Sequence, residues 1–111
     1  ARCADRRQKP PVLPSHDVSI VAPIIETCAA FGLCSVADLI SPTRTLKLSR
    51  PRMAAAYLIR KHTGLALVDI GKLLGNRDHS TIGHAIKRGE RDVWVARIVK
   101  EVSMRLNLEQ A

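Results

Sequence analysis

The chain has 111 residues, which is about the length of one domain. Its composition, 46% hydrophobic and 25% charged, allows a packed core and argues against wholesale disorder, and no apolar run is long enough to predict a transmembrane helix. Eighteen Lys and Arg residues against ten Asp and Glu residues give a net charge of +8, which is typical of proteins that bind a polyanion such as nucleic acid or an anionic membrane surface.

The positive charge is concentrated in the middle of the chain. Residues 41–91 hold eleven basic and three acidic side chains, whereas the rest of the chain holds seven of each. We therefore expect the binding surface to lie within this part of the sequence.

Residues 1–17 are rich in Arg and Pro and show no helical period. We interpret them as a flexible basic arm ahead of a single domain at 18–111. Two alternatives stay open, a linker remnant without a role and an arm that contacts phosphates. The first ten residues are basic and contain no apolar stretch, so no secretory signal is predicted.

The first two predicted helices lie between residues 19 and 40. Ile20, Ile24 and Cys28 recur at helical spacing, with Ser19 as the predicted cap and Gly32 as the predicted end. Residues 35–38 have the form of a capping box, which predicts a short helix through residue 40.

A basic loop and four further helices follow. Residues 41–49 are predicted as the loop, and Pro51 is predicted near the start of a third helix that ends at Gly64. Apolar residues from Leu67 predict a fourth helix ended by Gly75, and Asp78 is positioned to cap a fifth helix after a tight turn. Two short helices joined in this way, the second one basic, are typical of a helix-turn-helix. A last helix at about 90–106 completes an all-α fold of about six helices.

The cysteines and histidines do not predict a metal site. The chain has an odd number of cysteines, Cys3, Cys28 and Cys34, and they lack the paired spacing of zinc ligands. The four histidines are scattered along the sequence. We expect no metal and no other cofactor, and we expect Cys28 to be a small core residue of a reduced cytoplasmic protein.

The predicted helix-turn-helix carries the pattern Gly71-x-x-Leu74-Gly75-Asn76-Arg77-Asp78-His79-Ser80-Thr81-Ile82-x-His84-Ala85, with Arg50-Pro51-Arg52 upstream. Both segments resemble the C-terminal DNA-binding domain of the bacterial chromosomal replication initiator DnaA, and the resemblance covers about residues 20–105. It implies a six-helix domain that binds a short, asymmetric box of the TTATCCACA type in double-stranded DNA. The recognition helix would enter the major groove, and the basic loop would enter the adjacent minor groove.

The residues expected to contact DNA come from the resemblance and from their own chemistry. The resemblance assigns Arg44 to the minor groove and Arg52 and Arg60 to the phosphate backbone. First-turn side chains such as His79 and Ser80 suit base edges, while Asp78 suits an exocyclic amino group, the helix cap or both. The full expected set is Arg44, Arg52, Arg60, Lys61, Arg77, Asp78, His79, Ser80 and Thr81.

Other residues are expected to be structural or depart from the family pattern. His84 is expected to pack internally or on the helix flank, and Tyr57 and Trp94 are expected in the core. Met53 replaces a residue that is usually polar in the family, and Ala66 replaces a capping Ser. Gly83 and Gly89 are expected to soften the recognition helix.

Sequence patterns for catalysis are missing. There is no GxxxxGK[ST] phosphate-binding loop and no Ser/His/Asp arrangement, so we expect neither an ATP site nor an enzyme. Two other functions compete with initiator-like box binding: a stand-alone transcription regulator with a different box, and a protein-interaction adaptor that has lost DNA readout. Membrane-surface binding is weaker, because the basic residues are spread over several elements.

Overall fold

A computed structural model of the chain describes residues 18–42 and 46–108. In these residues a 3-10 turn at Val18–Ile20 precedes six α-helices, and there is no strand, which confirms the all-α prediction. The helices are α1 (Val21–Phe31), α2 (Val36–Leu39), α3 (Leu46–Thr63), α4 (Leu67–Leu73), α5 (His79–Arg91) and α6 (Val93–Arg105). The predicted arm at 1–17 and the loop residue Arg44 lie outside the described residues.

Helix α3 is the centre of the fold and packs against the other helices. Its small residues Ala54, Ala55 and Ala56 are fully buried, which allows neighbouring helices to approach closely, and Leu58 and Ile59 complete this buried side. The burial of these apolar side chains is the main stabilising contribution of the helix.

The predicted start of the third helix at Pro51 is wrong. Helix α3 begins at Leu46, and Leu48, ahead of the proline, is only 5% exposed. Packing of Leu48 in the core therefore extends the helix upstream. Pro51 lies inside the helix and lacks the N–H that would have donated to the carbonyl of Lys47.

The start of α1 differs from the prediction, whereas its end at Gly32, the C-cap residue, is as predicted. Ser19 lies within the 3-10 turn, and the N-cap residue Ile20 makes no capping side-chain bond. Gly32 has a right-handed φ of −83°, and the left-handed position at the helix end is occupied by Leu33 at φ +57°. Gly32 is needed for packing instead, because a Cβ there would lie 2.5 Å from Cγ of Pro51.

Two polar side chains, those of Ser35 and Asp92, cap helix ends. The Ser35 hydroxyl accepts a hydrogen bond from the N–H of Asp38 at 3.0 Å, which confirms Ser35 as the cap of α2. Asp92 separates α5 from α6, so the predicted last helix begins at Val93 rather than near residue 90. The Asp92 carboxylate accepts from the first-turn N–H groups of α6 and also pairs with Arg50 at 3.2 Å.

Cys28 is fully buried, as predicted, and its burial raises the pKa of the thiol to about 12, so it is a poor nucleophile.

Among the described helices, none combines the length and the apolar character that crossing a bilayer requires.

Candidate nucleic-acid interface

The helix-turn-helix consists of α4, a turn at residues 74–78, and α5. Gly75 at φ +96° and Asn76 at φ +58° reverse the chain direction, as glycine and asparagine do most readily. The N–H of Arg77 donates to the carbonyl of Gly71 at 2.9 Å, and a Cβ on Gly71 would clash with the carbonyl oxygen of Arg77. Gly71 thus lets the turn backbone rest directly on α4 and fixes where α5 begins.

Asp78 caps the recognition helix α5. Its Oδ1 accepts a hydrogen bond from the N–H of Thr81 at 2.7 Å, which confirms the predicted capping role. The hydrogen bonds from Thr81 hold the pKa of Asp78 below its ordinary value. The cap is therefore fully present above the carboxyl's unfolded-state pKa and is lost as the pH falls through the lower folded-state pKa.

Helix α5 is amphipathic, and its outer face is polar. Ile82 and Gly89 are buried, whereas the first-turn residues His79, Ser80 and Thr81 are exposed. Further along, exposed side chains follow Ser80 at helical spacing: His84, Lys87 and Arg91. We refer to these four residues together with His79 and Thr81 as the outer face of α5.

His84 was expected to pack either internally or on the helix flank, and the expectation of internal packing is wrong. Its side chain is exposed one turn after Ser80, on the outer face of α5. The sequence held a signal for this placement, because Ile82, Ile86 and Gly89 fix the buried side of the helix and leave position 84 opposite to it.

The carbonyl of Ser41 joins the predicted loop to the helix-turn-helix. It accepts from Nη2 of Arg52 at 2.7 Å and from Nη2 of Arg77 at 3.2 Å. A Cβ on Gly75 would lie 2.5 Å from the same oxygen. The segment that leads toward Arg44 is thereby held against the turn of the helix-turn-helix, and we call this contact the Ser41 junction.

Arg52 lies inside the molecule. It is 8% exposed, and its guanidinium also donates to the carbonyls of Leu39 at 2.7 Å and Asp38 at 2.9 Å, which belong to the end of α2. Burial, and then the neighbouring charge of Arg77, lower its pKa. Arg52 therefore fastens α2 to α3, and its donors face protein carbonyls.

The two basic residues at the end of α3 take different positions. Arg60 is exposed and donates to the carbonyl of Leu65 at 2.6 Å in the connection to α4. Lys61 has its Nζ 5.8 Å from the ring centroid of Tyr57 and lines a cavity with Glu90 and Lys100, near α6.

The structure brings together three of the residues predicted to contact DNA. Arg77, Asp78 and His79 line one depression with Val68 and Lys72, both on α4. Lys61 lines a different cavity, and Arg44 lies outside the described residues. Lys72, on α4, is a further basic residue at this depression.

Trp94 was expected in the core, and this is wrong. The side chain is 54% exposed, and the guanidinium carbon of Arg97 lies 5.4 Å from its ring centroid. Val95 and Val102 bury the inner side of α6, and Trp94 lies off that side by about one helical step of 100°.

Gly83 and Gly89, the two glycines within α5, differ in the space available for a Cβ atom, and this difference gives a first prediction. A Cβ at Gly83 would meet only Cδ1 of Leu67 at 3.6 Å, an ordinary contact, so Gly83→Ala is expected to raise the free energy of unfolding by about 1 kcal/mol. A Cβ at Gly89 would lie 3.2 Å from Cγ1 of Val95 and 3.5 Å from Cβ of Met53, so Gly89→Ala is the matched control expected not to gain stability. Urea denaturation measures both, and a loss of stability in Gly83→Ala would contradict the prediction.

Comparison with known proteins places these features in a family context. Residues 21–88 match the family described as the bacterial dnaA protein helix-turn-helix. The chain is similar to the chromosomal replication initiator protein DnaA of Lachnoclostridium phytofermentans, with 43% identity over 70 residues, and to that of Thermomicrobium roseum, with 38% identity over 90 residues. These alignments cover 63% and 81% of this chain but only 16% and 17% of the relatives.

Proposed function

This chain belongs to the family of the bacterial dnaA protein helix-turn-helix, and from that premise we propose that it is a module that binds double-stranded DNA at a short, asymmetric box. The observation that carries the proposal is the outer face of α5. Asp78 caps the start of this helix, and the side chains of its first turn are polar and exposed. Such a helix end suits the major groove, whose base edges offer hydrogen-bond donors, acceptors and thymine methyls. The cellular role would be replication initiation or its regulation in the bacterial cytoplasm, at the nucleoid.

The proposed contacts divide into base readers and phosphate binders. His79 and Ser80 read base edges, and Thr81 contacts a phosphate or a thymine methyl. Asp78 uses one oxygen for its cap and keeps the other for an exocyclic amino group. Arg60, Lys61 and Arg77 bind phosphates, with His84 added because it is exposed on the same face as Ser80.

Arg52 is proposed to act on DNA binding through the Ser41 junction. Its donors are directed at the carbonyls of Asp38, Leu39 and Ser41. A phosphate contact, the role that the family resemblance implied, would require these bonds to break. In this proposal the chain supplies binding and no catalytic chemistry.

Arg44, three residues after Ser41 in the sequence, is proposed to bind in the minor groove. Arg44→Ala is expected to weaken specific binding by about 1–3 kcal/mol, chiefly at an A·T-rich end of the box, where the narrow groove concentrates negative potential. Hydroxyl-radical footprinting with the wild-type chain as reference measures this, and unchanged minor-groove protection at that end would contradict the assignment.

The experiment that tests the proposal is a salt titration of binding to duplex DNA. If five or six phosphates are neutralised, the logarithm of the association constant should fall against the logarithm of salt concentration with a slope of about −5. Arg60→Ala should make that slope shallower by about one unit. Arg105→Ala is the matched control and should leave the slope unchanged, because Arg105 is an exposed cation at the end of α6 that lies against the ring of Phe31.

The outcomes separate the proposal from its competitors. Retained binding with a slope near zero would contradict a phosphate-binding surface. No binding to any duplex selected from a random pool would favour the protein-interaction adaptor. Selection of a box unrelated to TTATCCACA would favour a transcription regulator with its own site.

A further inference from the structure

A cavity of about 290 Å³ lies between α3, the end of α5 and α6. Two of its lining residues, Gly89 and Ser103, are buried, whereas the ring of Tyr57 and the side chain of Val99 are half-buried and give it apolar walls. The volume is near the lower end of the range for small-molecule sites, so a ligand there would be small. Of the described residues proposed to bind DNA, Lys61 alone lines this cavity.

Ser103 carries a buried hydroxyl group that has no hydrogen-bond partner within the described part of the chain. The residue is 2% exposed, and no hydrogen bond joins its hydroxyl to residues 18–42 or 46–108. The hydroxyls of Thr27 and Thr63, by contrast, each donate to the carbonyl four residues earlier. A buried hydroxyl without a partner is costly. Because Ser103 lines the cavity, a polar group of a bound ligand would supply the missing bond.

The charged side chains that line the cavity are exposed. Lys61, Glu90 and Lys100 form no ion pair with one another or with any other residue that the structure describes. Lys100 and Ser103 are three residues apart and therefore lie on the same side of α6. The Nζ atom of Lys61 lies 5.8 Å from the ring centroid of Tyr57, a cation–π contact that favours a position beside this wall.

The chemistry of the lining favours a small organic carboxylate. Two positive charges against the one of Glu90 leave a net charge of +1, which complements a monoanion better than a dianionic phosphate ester. A carboxylate accepts hydrogen bonds from ammonium and hydroxyl groups, and an apolar or planar body suits Tyr57 and Val99. A DNA phosphate would need only the cations and would leave the apolar walls and the buried hydroxyl unused.

We propose that the cavity between α3, α5 and α6 binds a small organic carboxylate. Lys100 and Ser103 donate to the carboxylate group, Lys61 supplies the second positive charge, and the body of the ligand packs against Tyr57 and Val99. This binding is independent of DNA.

Titration of the full chain with benzoate in the absence of DNA, followed by amide nuclear magnetic resonance, tests the proposal. We expect saturable shifts of the amide signals of Lys100 and Ser103 with a Kd of about 1 mM. The signals of Val36 and Leu73, which line a separate groove, should not shift. Benzamide, a neutral analogue of the same shape, should bind at least about fivefold more weakly, and the cation benzylamine should not bind.

Two variants and one matched control assign the contacts. Lys100→Ala and Ser103→Ala should each raise the Kd for benzoate by about fivefold. Ser103→Ala should not lower the midpoint of urea denaturation, because its hydroxyl has no hydrogen bond to lose within the described fold. Arg97→Ala removes an exposed cation from the same helix that lines a different cavity, and it should leave the Kd unchanged.

Several outcomes would overturn the proposal. Benzoate shifts that do not saturate, or that are equally large at Val36 and Leu73, would show that binding is nonspecific. Equal affinity for benzamide would contradict an anion site, and tighter binding of phenyl phosphate than of benzoate would identify a phosphate ester as the ligand. An unchanged Kd in Ser103→Ala would remove the hydroxyl from the site, and a lowered urea midpoint would show that the fold already uses it.

Discussion

Arg52→Ala is expected to lower the free energy of unfolding by about 3 kcal/mol, because it removes a buried side chain together with its hydrogen bonds to three backbone carbonyls. The guanidinium bonds to the carbonyls of Asp38, Leu39 and Ser41, and the side chain is 8% exposed. The bond to Leu39 is buried, whereas the other two are partly buried and their acceptors keep bonds from Arg77 and from the Ser41 hydroxyl. The expected loss therefore combines one unsatisfied buried acceptor with the lost packing of the Arg52 side chain. Urea denaturation monitored by circular dichroism measures it.

Arg52→Lys is the matched control for this prediction. It keeps the positive charge but not the planar fork of donors that reaches several carbonyls at once, so an intermediate loss is expected. If Arg52 instead contacted a phosphate, Arg52→Ala would reduce the salt slope of DNA binding by about one unit with little change in stability. That result would contradict the role assigned to it at the Ser41 junction.

The helix-turn-helix was predictable because its signals are local. The glycine at the turn, the capping Asp78 and the apolar period around Ile82 each act within a few residues, and the structure has all three. The cap at Ser35 was predictable for the same reason.

The residues whose surroundings the sequence did not indicate depend on distant partners. Arg52 is buried because carbonyls eleven to fourteen residues earlier in the chain need donors. Gly32 is required by Pro51 on another helix, and nothing near Gly32 in the sequence indicates this. The missed boundary at Asp92 combines a local cap with a pairing to Arg50, 42 residues away.

The double variant His79→Ala with Ser80→Ala is expected to lose specificity rather than general affinity for DNA. Both side chains are exposed on the first turn of α5, directly after the capped Asp78. Each base contact of this kind contributes about 1–3 kcal/mol of discrimination, so the pair should weaken binding to the selected box by about 2–6 kcal/mol. Binding to a scrambled duplex depends on phosphate contacts and should change little.

Arg60→Ala supplies the contrast, because a phosphate contact should weaken both duplexes by similar amounts. Fluorescence anisotropy with matched and scrambled duplexes at two salt concentrations distinguishes the two patterns. The substituted positions are exposed, and the cap of α5 comes from Asp78, so the fold should remain intact. Equal losses on both duplexes in the His79/Ser80 variant would show that these side chains do not read bases, and the recognition surface would then have to be sought elsewhere on the helix.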